Sequence, residues 1–456
     1  MHERKKILGA IERSKADYTE IRLEREWRTE VAYRREHLEN LEASTEFGGI
    51  ARCLVKGCWG IATFNTLRDL AKRVEEAYEI AKAVARRAAE KIELAEAEPV
   101  ERELGAQLKR DPRSIPLEEK RRCIEQYNKL MLGLDRRIVA TNAQYTDSFK
   151  EIIYANSEGT FIREERPDVT LSLVATAREG DNIQYGFESF GWCAGFEAAE
   201  AQQERAEQAA RRAVALLEAK PVKAGAYTVV LDQDLAGVFI HEAFGHLCEA
   251  DHIYKDPRLR EIMHPGRKVG VEGLNVIDDG YIEGLRGNSP YDDEGVPRQR
   301  VYLIKGGVLQ GFLHSRATAA KMGAKPTGNA RAVNYKFEPI VRMRNTYIDR
   351  GTYTFEELLR GIDQGIYACG AVGGQTELEQ FTFIAAYAYE ITNGKVGEML
   401  RDVVLTGNVF QTLQNIDGLG NDLVIKGSSG GCGKDGQFPL PLTHGGPHLR
   451  IRNVSP

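Results

Sequence analysis

The sequence predicts an α+β protein in two parts. An N-terminal α/β layered domain, with an antiparallel sheet and long helices, spans residues 1–220; a mostly antiparallel β domain carrying an irregular helix follows over 221–456. Three observations carry this reading. The first half switches repeatedly between a two-residue and a 3.6-residue hydrophobic period, the marks of strands and of helices lying on them. After Pro221 the chain becomes richer in glycine and in short β-type runs. A length of 456 residues exceeds what one core ordinarily organises, at roughly 100–200 residues per domain.

Taken in order, Tyr18, Ile21, Leu23, Val31 and Tyr33 alternate with polar neighbours, as do residues 50–56 and 58–64, with Gly48, Gly49, Gly57 and Gly60 between them. This predicts an antiparallel meander with one wet face. Leu67, Leu70, Val74, Ala77, Ile80, Ala81, Val84 and Ala88 then form a helical stripe over 66–91. A proline-bearing polar stretch at 99–116 reads as a linker, and a second helix follows over 117–134. Strand-like alternation returns over 137–149, 151–156, 161–166 and 168–176, then an aromatic run at Tyr185, Phe187, Phe190 and Trp192, then a Glu/Ala/Arg-rich helix over 196–220 that ends before Pro221. Both meanders are followed by a helix, which suggests an internal duplication. Beyond the boundary, strands are expected at 227–231, 270–277, 301–304, 308–312, 341–348, 383–391 and 403–410.

Composition excludes several function classes. Lys+Arg total 62 against 67 Asp+Glu, a net charge of −5, so direct nucleic-acid binding by phosphate neutralisation is not expected. The basic start lacks the apolar stretch of a secretory signal, and no segment approaches the roughly 18 apolar residues of a membrane span. A cytoplasmic location is expected. Seven cysteines, at 53, 58, 123, 193, 248, 369 and 432, are scattered without a Cys-x-x-Cys pair, which disfavours a disulfide framework.

The chemistry concentrates in HEAFGHLCEAD, residues 241–251, where His241, Glu242 and His246 form His-Glu-x-x-x-His. Asp234 is a good N-cap for a helix starting at Leu235. Histidines at i and i+5 lie about 140° apart on an ideal α-helix, against about 40° for i and i+4, so they face one ion only if the helix is irregular. Gly245 suits a π-bulge, kink or helix end, and irregularity is expected over 243–246. A catalytic zinc takes three protein ligands and a water. The candidates for the third are Cys248, Glu249, Asp251 and His252 nearby, and Cys432, His444 and His448 at a distance. Cys248 lies about 10 Å along a helix from His241. Cys432, in the glycine-rich GSSGGCGKDGQ, is better placed for close approach to a metal.

The HEAFGHLCEAD run, with DDEGVP (292–297), KPTGNARA (325–332), RMRNTYI (342–348), GGQ (373–375) and GCGKDGQ (431–437), resembles the TldD branch of the TldD/PmbA metalloproteases, block by block and in order. The first half resembles that family in layout only. The resemblance implies zinc held by His241, His246 and Cys432, with Glu242 as catalytic base. It implies hydrolysis of short or unfolded peptides, bound as an added β-strand in a closed cavity. It also implies a homodimer, or a heterodimer with a TldE/PmbA-like subunit. GGQ and RMRNTYI are candidate cavity walls, or else a turn and a core strand; Asp292, Asp293 and Glu294 carry no assigned role. Two alternatives stand beside this reading. One is a regulatory or partner-binding subunit with little activity alone, which the family's older description as a DNA gyrase modulator implies; the other is a zinc amidohydrolase acting on a non-peptide.

Overall fold

The computed structural model describes residues 2–377 and 379–455. The first half is one motif used twice. Helix His2–Glu12, strands Tyr18–Arg34, His37–Val55 and Cys58–Phe64, and helix Leu70–Val84 are followed by helix Leu117–Gly133, strands Ile138–Asn156, Phe161–Glu179 and Asn182–Trp192, and helix Gln203–Glu218. The first strands of the two units pair antiparallel, from Glu20 opposite Asn156 to Arg34 opposite Asn142, so both meanders share one sheet. Each closing helix lies close on its third strand because that strand has a glycine beneath it. A Cβ at Gly60 would run into the Ala77 carbonyl, and one at Gly186 into the Ala209 carbonyl. The duplicated layout thus has a duplicated packing contact.

The helices are shorter than their hydrophobic stripes. Leu70–Val84 replaces 66–91, and over 196–220 a 3₁₀ turn at Phe196–Ala199 precedes Gln203–Glu218. Strands expected as separate pieces run through as Ile138–Asn156 and Phe161–Glu179, the second carrying Pro167 within it.

In the second half the large sheet continues. Gly427 of strand Val424–Gly427 sits opposite Gly191, and beyond it lie Thr443–Gly446, Asn345–Ile348, Val276–Asp279, Arg300–Lys305 and Val308–Leu309. A second sheet holds Ile416–Leu419, Leu449–Val454, Tyr227–Leu231, Gln364–Glu377, Gln380–Thr392 and Lys395–Arg401. Most pairings are antiparallel, as expected for an α+β chain of this kind; Tyr227–Leu231 on Gln364–Glu377 and Asn345–Ile348 on Thr443–Gly446 are parallel. The run 403–410 divides. Val404–Asn408 is a strand, but the Asn408 side chain accepts from Gln411 N and starts helix Val409–Gln414.

Helix Gln233–Ile240 lies between the two sheets, touching Gln364–Glu377 on one side and Asn345–Ile348, Val424–Gly427 and Thr443–Gly446 on the other. Leu235, Ala236, Phe239 and Ile240 enter the largest buried cluster, whose residues come from 229–454; Phe239 meets Phe381 and Phe383 edge-on. Two further clusters draw on residues 7–217.

The halves also meet through buried charge. Asp293 pairs with Arg22 and Arg166, each at 2.9 Å, while Arg52 holds Glu20 at 2.8 Å and faces Glu294 at 3.8 Å. Asp292 accepts backbone N–H groups from Glu294, Val296 and Ala330, which fixes the turn. Burial, with Glu294 beside it, pushes Asp292 up to about 8. Burial would also raise Asp293, but Arg22 and Arg166 outweigh it and hold that carboxyl below its usual range. Among the described residues, no helix is long and apolar enough to cross a membrane.

Candidate metal centre

The helix that carries the histidines starts two residues earlier than its sequence suggests. Asp232, not Asp234, is its N-cap: one carboxylate oxygen accepts from Leu235 N at 2.8 Å, the other from Gly370 N at 2.8 Å. Burial, reinforced by neighbouring Asp234, pushes Asp232 up to about 6. Asp234 sits in the first helical turn and faces His444 Nε2 at 3.5 Å and Lys426 Nζ at 3.3 Å.

After Ile240 the helix widens. Residues His241–Gly245 form a π turn closed by His246 N donating to the His241 carbonyl, and His246–Cys248 tighten into a 3₁₀ turn. The five-residue hydrogen bond matches the five-residue spacing of the histidines, so both rings emerge on one side. Their centroids are 4.9 Å apart, with planes at 72°. Gly245 fits because a Cβ there would collide with the Met343 sulfur.

Cys432 arrives from 186 residues away in the chain, on a hairpin of strands Cys432–Lys434 and Gln437–Leu440. Asp435 and Gly436 at its tip have φ of 48° and 76°, the left-handed pair a two-residue hairpin turn requires. Cys432 Sγ lies 3.1 Å from His246 Nε2, and one donor atom from each of His241, His246 and Cys432 falls within 4.8 Å of the others. The two oxygens of Glu242 lie 4.0 and 3.9 Å from His241 Nε2 and His246 Nε2.

Four of the other third-ligand candidates are engaged elsewhere; His252 and His444 are not. Cys248 is wholly buried in the core, and His252 is exposed. Glu249, also wholly buried, bonds His246 Nδ1 at 2.9 Å, and Asp251 bonds Lys434 at 2.6 Å. His448 Nε2 meets the Tyr367 hydroxyl at 2.8 Å. His444 lines the same cavity, its ring 6.4 Å from that of His241.

The electrostatics separate the two histidines. Burial, helped by His246 and His444, holds His241 well below the ordinary histidine range. Burial acts the same way on His246, but Glu249 and Cys432 outweigh it and hold its pKa well above that range. Glu249 itself is held at about 2, since His246 and Lys434 overcome its burial. Burial raises Glu242 against the pull of His246 and His444. The donors suit a divalent metal. Two imidazoles and a thiol are a zinc-type set, Glu249 occupies the outer nitrogen of one imidazole, and His241 Nδ1 is buried without a hydrogen-bond partner among the described residues.

These groups face a cavity of about 540 Å³ between the sheets, into which His241, Glu242 and Cys432 project beside Gly373, Gly374 and Ser189. GGQ is neither turn nor loop: it lies within strand Gln364–Glu377, and its two glycines line the cavity. Residues 342–348 are buried behind the site, with Arg342 donating to the Cys432 carbonyl at 2.6 Å. The first half contributes too. Asp168 holds Arg286 through two bonds of 2.6 and 2.7 Å, Arg286 donates to the carbonyls of Ser428 and Gly430, and Ser429 N donates to Ser189 Oγ at 2.8 Å. Sequence reasoning missed this supporting set.

Three family models match the chain: PmbA/TldA metallopeptidase domain 1 at residues 19–81, the central domain at 110–217 and the C-terminal domain at 224–455. A metalloprotease of Synechocystis is 42% identical over 442 residues, covering 97% of this chain and 95% of its own. A protein of Saccharolobus solfataricus named zinc metalloprotease TldD homolog is 32% identical, covering 74% and 75%. The crystal structure of TldE from Thermococcus kodakarensis superposes with a TM-score of 0.77 at 18% identity, covering 100% of this chain and 99% of that one, which establishes the shared fold. Matched by these models over most of its length and by a relative almost end to end, the chain belongs to the PmbA/TldA metallopeptidase family, alongside relatives named TldD.

Proposed function

We propose that this chain is a zinc-dependent metallopeptidase that hydrolyses short or unfolded peptides. The metal would be held by His241, His246 and Cys432, and Glu242 would be the general base. The observation that carries the reading is the convergence of two imidazoles and a thiol within 4.8 Å, beside a carboxylate that opens into a cavity. Zinc bound there would supply Lewis-acid polarisation and acidify a water. Glu242 would take the proton of that water and return it to the leaving amine; its carboxylate stands about 4 Å from both imidazoles. The cavity wall at Gly373 and Gly374 exposes backbone rather than side chain, which suits an extended peptide paired through its main chain.

The division at 220/221 is part of the same proposal, with the chemistry in the second part and the first part shaping the cavity. So are a cytoplasmic location and assembly as a homodimer or with a TldE/PmbA-like subunit. Metal analysis paired with hydrolysis of an unstructured peptide pool tests the reading. Stoichiometric zinc with cleavage by the purified chain supports it. Zinc with cleavage only after a TldE-like chain is added makes this protein one subunit of a hetero-oligomer. Turnover of small amides without peptide cleavage overturns the peptidase assignment.

A further inference from the structure

The hairpin that delivers Cys432 delivers a second side chain to the same place. Cys432 and Lys434 are both buried with Gly433 exposed between them, and across a register irregularity both side chains reach the same place: Cys432 the His246 imidazole, Lys434 its carboxylate partner Glu249. Lys434 is buried, and its ammonium reaches three acceptors: Asp251 Oδ1 at 2.6 Å, the Val341 carbonyl at 2.8 Å and Glu249 Oε2 at 3.1 Å. Two of these contacts are hydrogen bonds, to Asp251 and Val341, and the third is an ion pair with Glu249. Glu249 Oε2 is also the atom that meets His246 Nδ1 at 2.9 Å. The imidazole and the thiol are therefore joined twice, directly at 3.1 Å and behind the site along His246, Glu249, Lys434, Gly433 and Cys432.

We propose that Lys434 is a positioning residue for the metal centre, locking the Cys432 hairpin to the carboxylate that orients His246 and so preorganising both donors before metal arrives. The inference rests on the metal reading of His241, His246 and Cys432 given above and adds a residue to it. The hairpin pairs only within itself among the described strands, so sheet hydrogen bonding does not set its position. Two cations do. Arg342 fixes backbone, donating to the Cys432 and Gln437 carbonyls at 2.6 and 3.3 Å; Lys434 fixes the strand face relative to His246. Only Lys434 reaches the partner of a donor imidazole. Supporting groups of this kind typically govern 10- to 100-fold of metal affinity.

The test uses cobalt(II) as a spectroscopic probe on the full chain, because a thiolate bound to cobalt gives a charge-transfer band that an imidazole does not. Lys434→Met keeps the length of the side chain and removes the charge and all three donors. It should bind cobalt roughly 10- to 100-fold more weakly, with a reduced thiolate-to-cobalt band per bound ion. Combined with Glu249→Gln, it should lose little more than either single variant, since both act through one chain of contacts. Lys434→Arg retains the charge and should recover part of the band; it carries the same test where Lys434→Met does not fold. Wild-type affinity and band intensity in Lys434→Met, with only a lowered melting temperature, would overturn the proposal. Absence of the band from wild type itself would instead remove the metal reading on which it stands.

Discussion

His246 Nε2 and Cys432 Sγ lie 3.1 Å apart although 186 residues separate them in the chain. That contact closes the triangle of donors, and it divides the roles of the neighbouring residues in a way mutants can read. Cys432→Ala should lose bound zinc and activity together. Glu242→Gln should keep stoichiometric zinc and lose peptide hydrolysis by 10²-fold or more, in the range ordinarily removed with a general base, about 10²–10⁴-fold. Elemental analysis beside a peptide-cleavage assay checks both. Zinc retained in Cys432→Ala would assign the third ligand to another residue.

The π turn gives a second prediction. Because a Cβ at position 245 meets the Met343 sulfur, Gly245→Ala forces either the helix or Met343 to move. A loss of roughly 1–3 kcal/mol in urea unfolding is expected, as for overpacked cores. Cobalt binding should weaken with it, since the turn that aligns the imidazoles is displaced. An unchanged unfolding midpoint would show that Met343 yields freely.

Asp293→Asn isolates the buried charges that tie the halves together. The substitution leaves Arg22 and Arg166 without the carboxylate each meets at 2.9 Å. Each arginine keeps a second carboxylate, Glu24 at 3.2 Å for Arg22 and Glu164 at 2.9 Å for Arg166, so the cost should be about 1–3 kcal/mol, read as a lower denaturant midpoint. A midpoint shift below about 1 kcal/mol would mean that the arginines find other acceptors.

His314 provides a pH signature outside the candidate donor set. It is 4% exposed, and burial lowers its pKa to about 4, while an unfolded histidine titrates near 6.5. Between these values the unfolded chain binds a proton that the folded chain does not. Stability from this group therefore rises with pH across the window, and it is lost as the pH falls toward 4. His314→Gln should remove about 2 kcal/mol of the stability difference between pH 5 and pH 7. Denaturation of wild type and variant at both pH values measures it. An identical pH dependence in the two would exclude the residue.

The periodic parts of this molecule were legible in the sequence. The glycine-broken alternation of Tyr18 to Phe64 is a meander, and the stripe from Leu70 to Ala81 is a helix against it. Boundaries were less so, because local residues offered two equivalent answers. Asp232 and Asp234 are both good caps, and distant partners separate them: Gly370 N takes the second oxygen of Asp232, while Asp234 faces Lys426 and His444. At the site, the i, i+5 spacing called for an irregular helix, and the glycine loop with the family resemblance singled out Cys432. Nothing local marked Lys434 as buried. A lysine beside glycines and an aspartate reads as solvated, and its place follows from Glu249 and Asp251, acids about 185 residues earlier that looked like metal-ligand candidates themselves. GGQ reads equally as a cavity wall or a turn until strand Gln380–Thr392 is there to pair with it.

The sheet that unites the two halves narrows to a waist. Between Asn182–Trp192 and Val424–Gly427 its register consists of a single pair, Gly191 with Gly427, where neighbouring seams extend over four or more. The next residues along the chain, 428–431, lead straight to Cys432, and Arg286 clasps them while held in turn by Asp168 of the other half. Any slip of one half against the other is thus delivered first to the segment that positions the thiol. In mechanical terms, the waist of the sheet and the adjustment of the candidate metal centre are the same few residues.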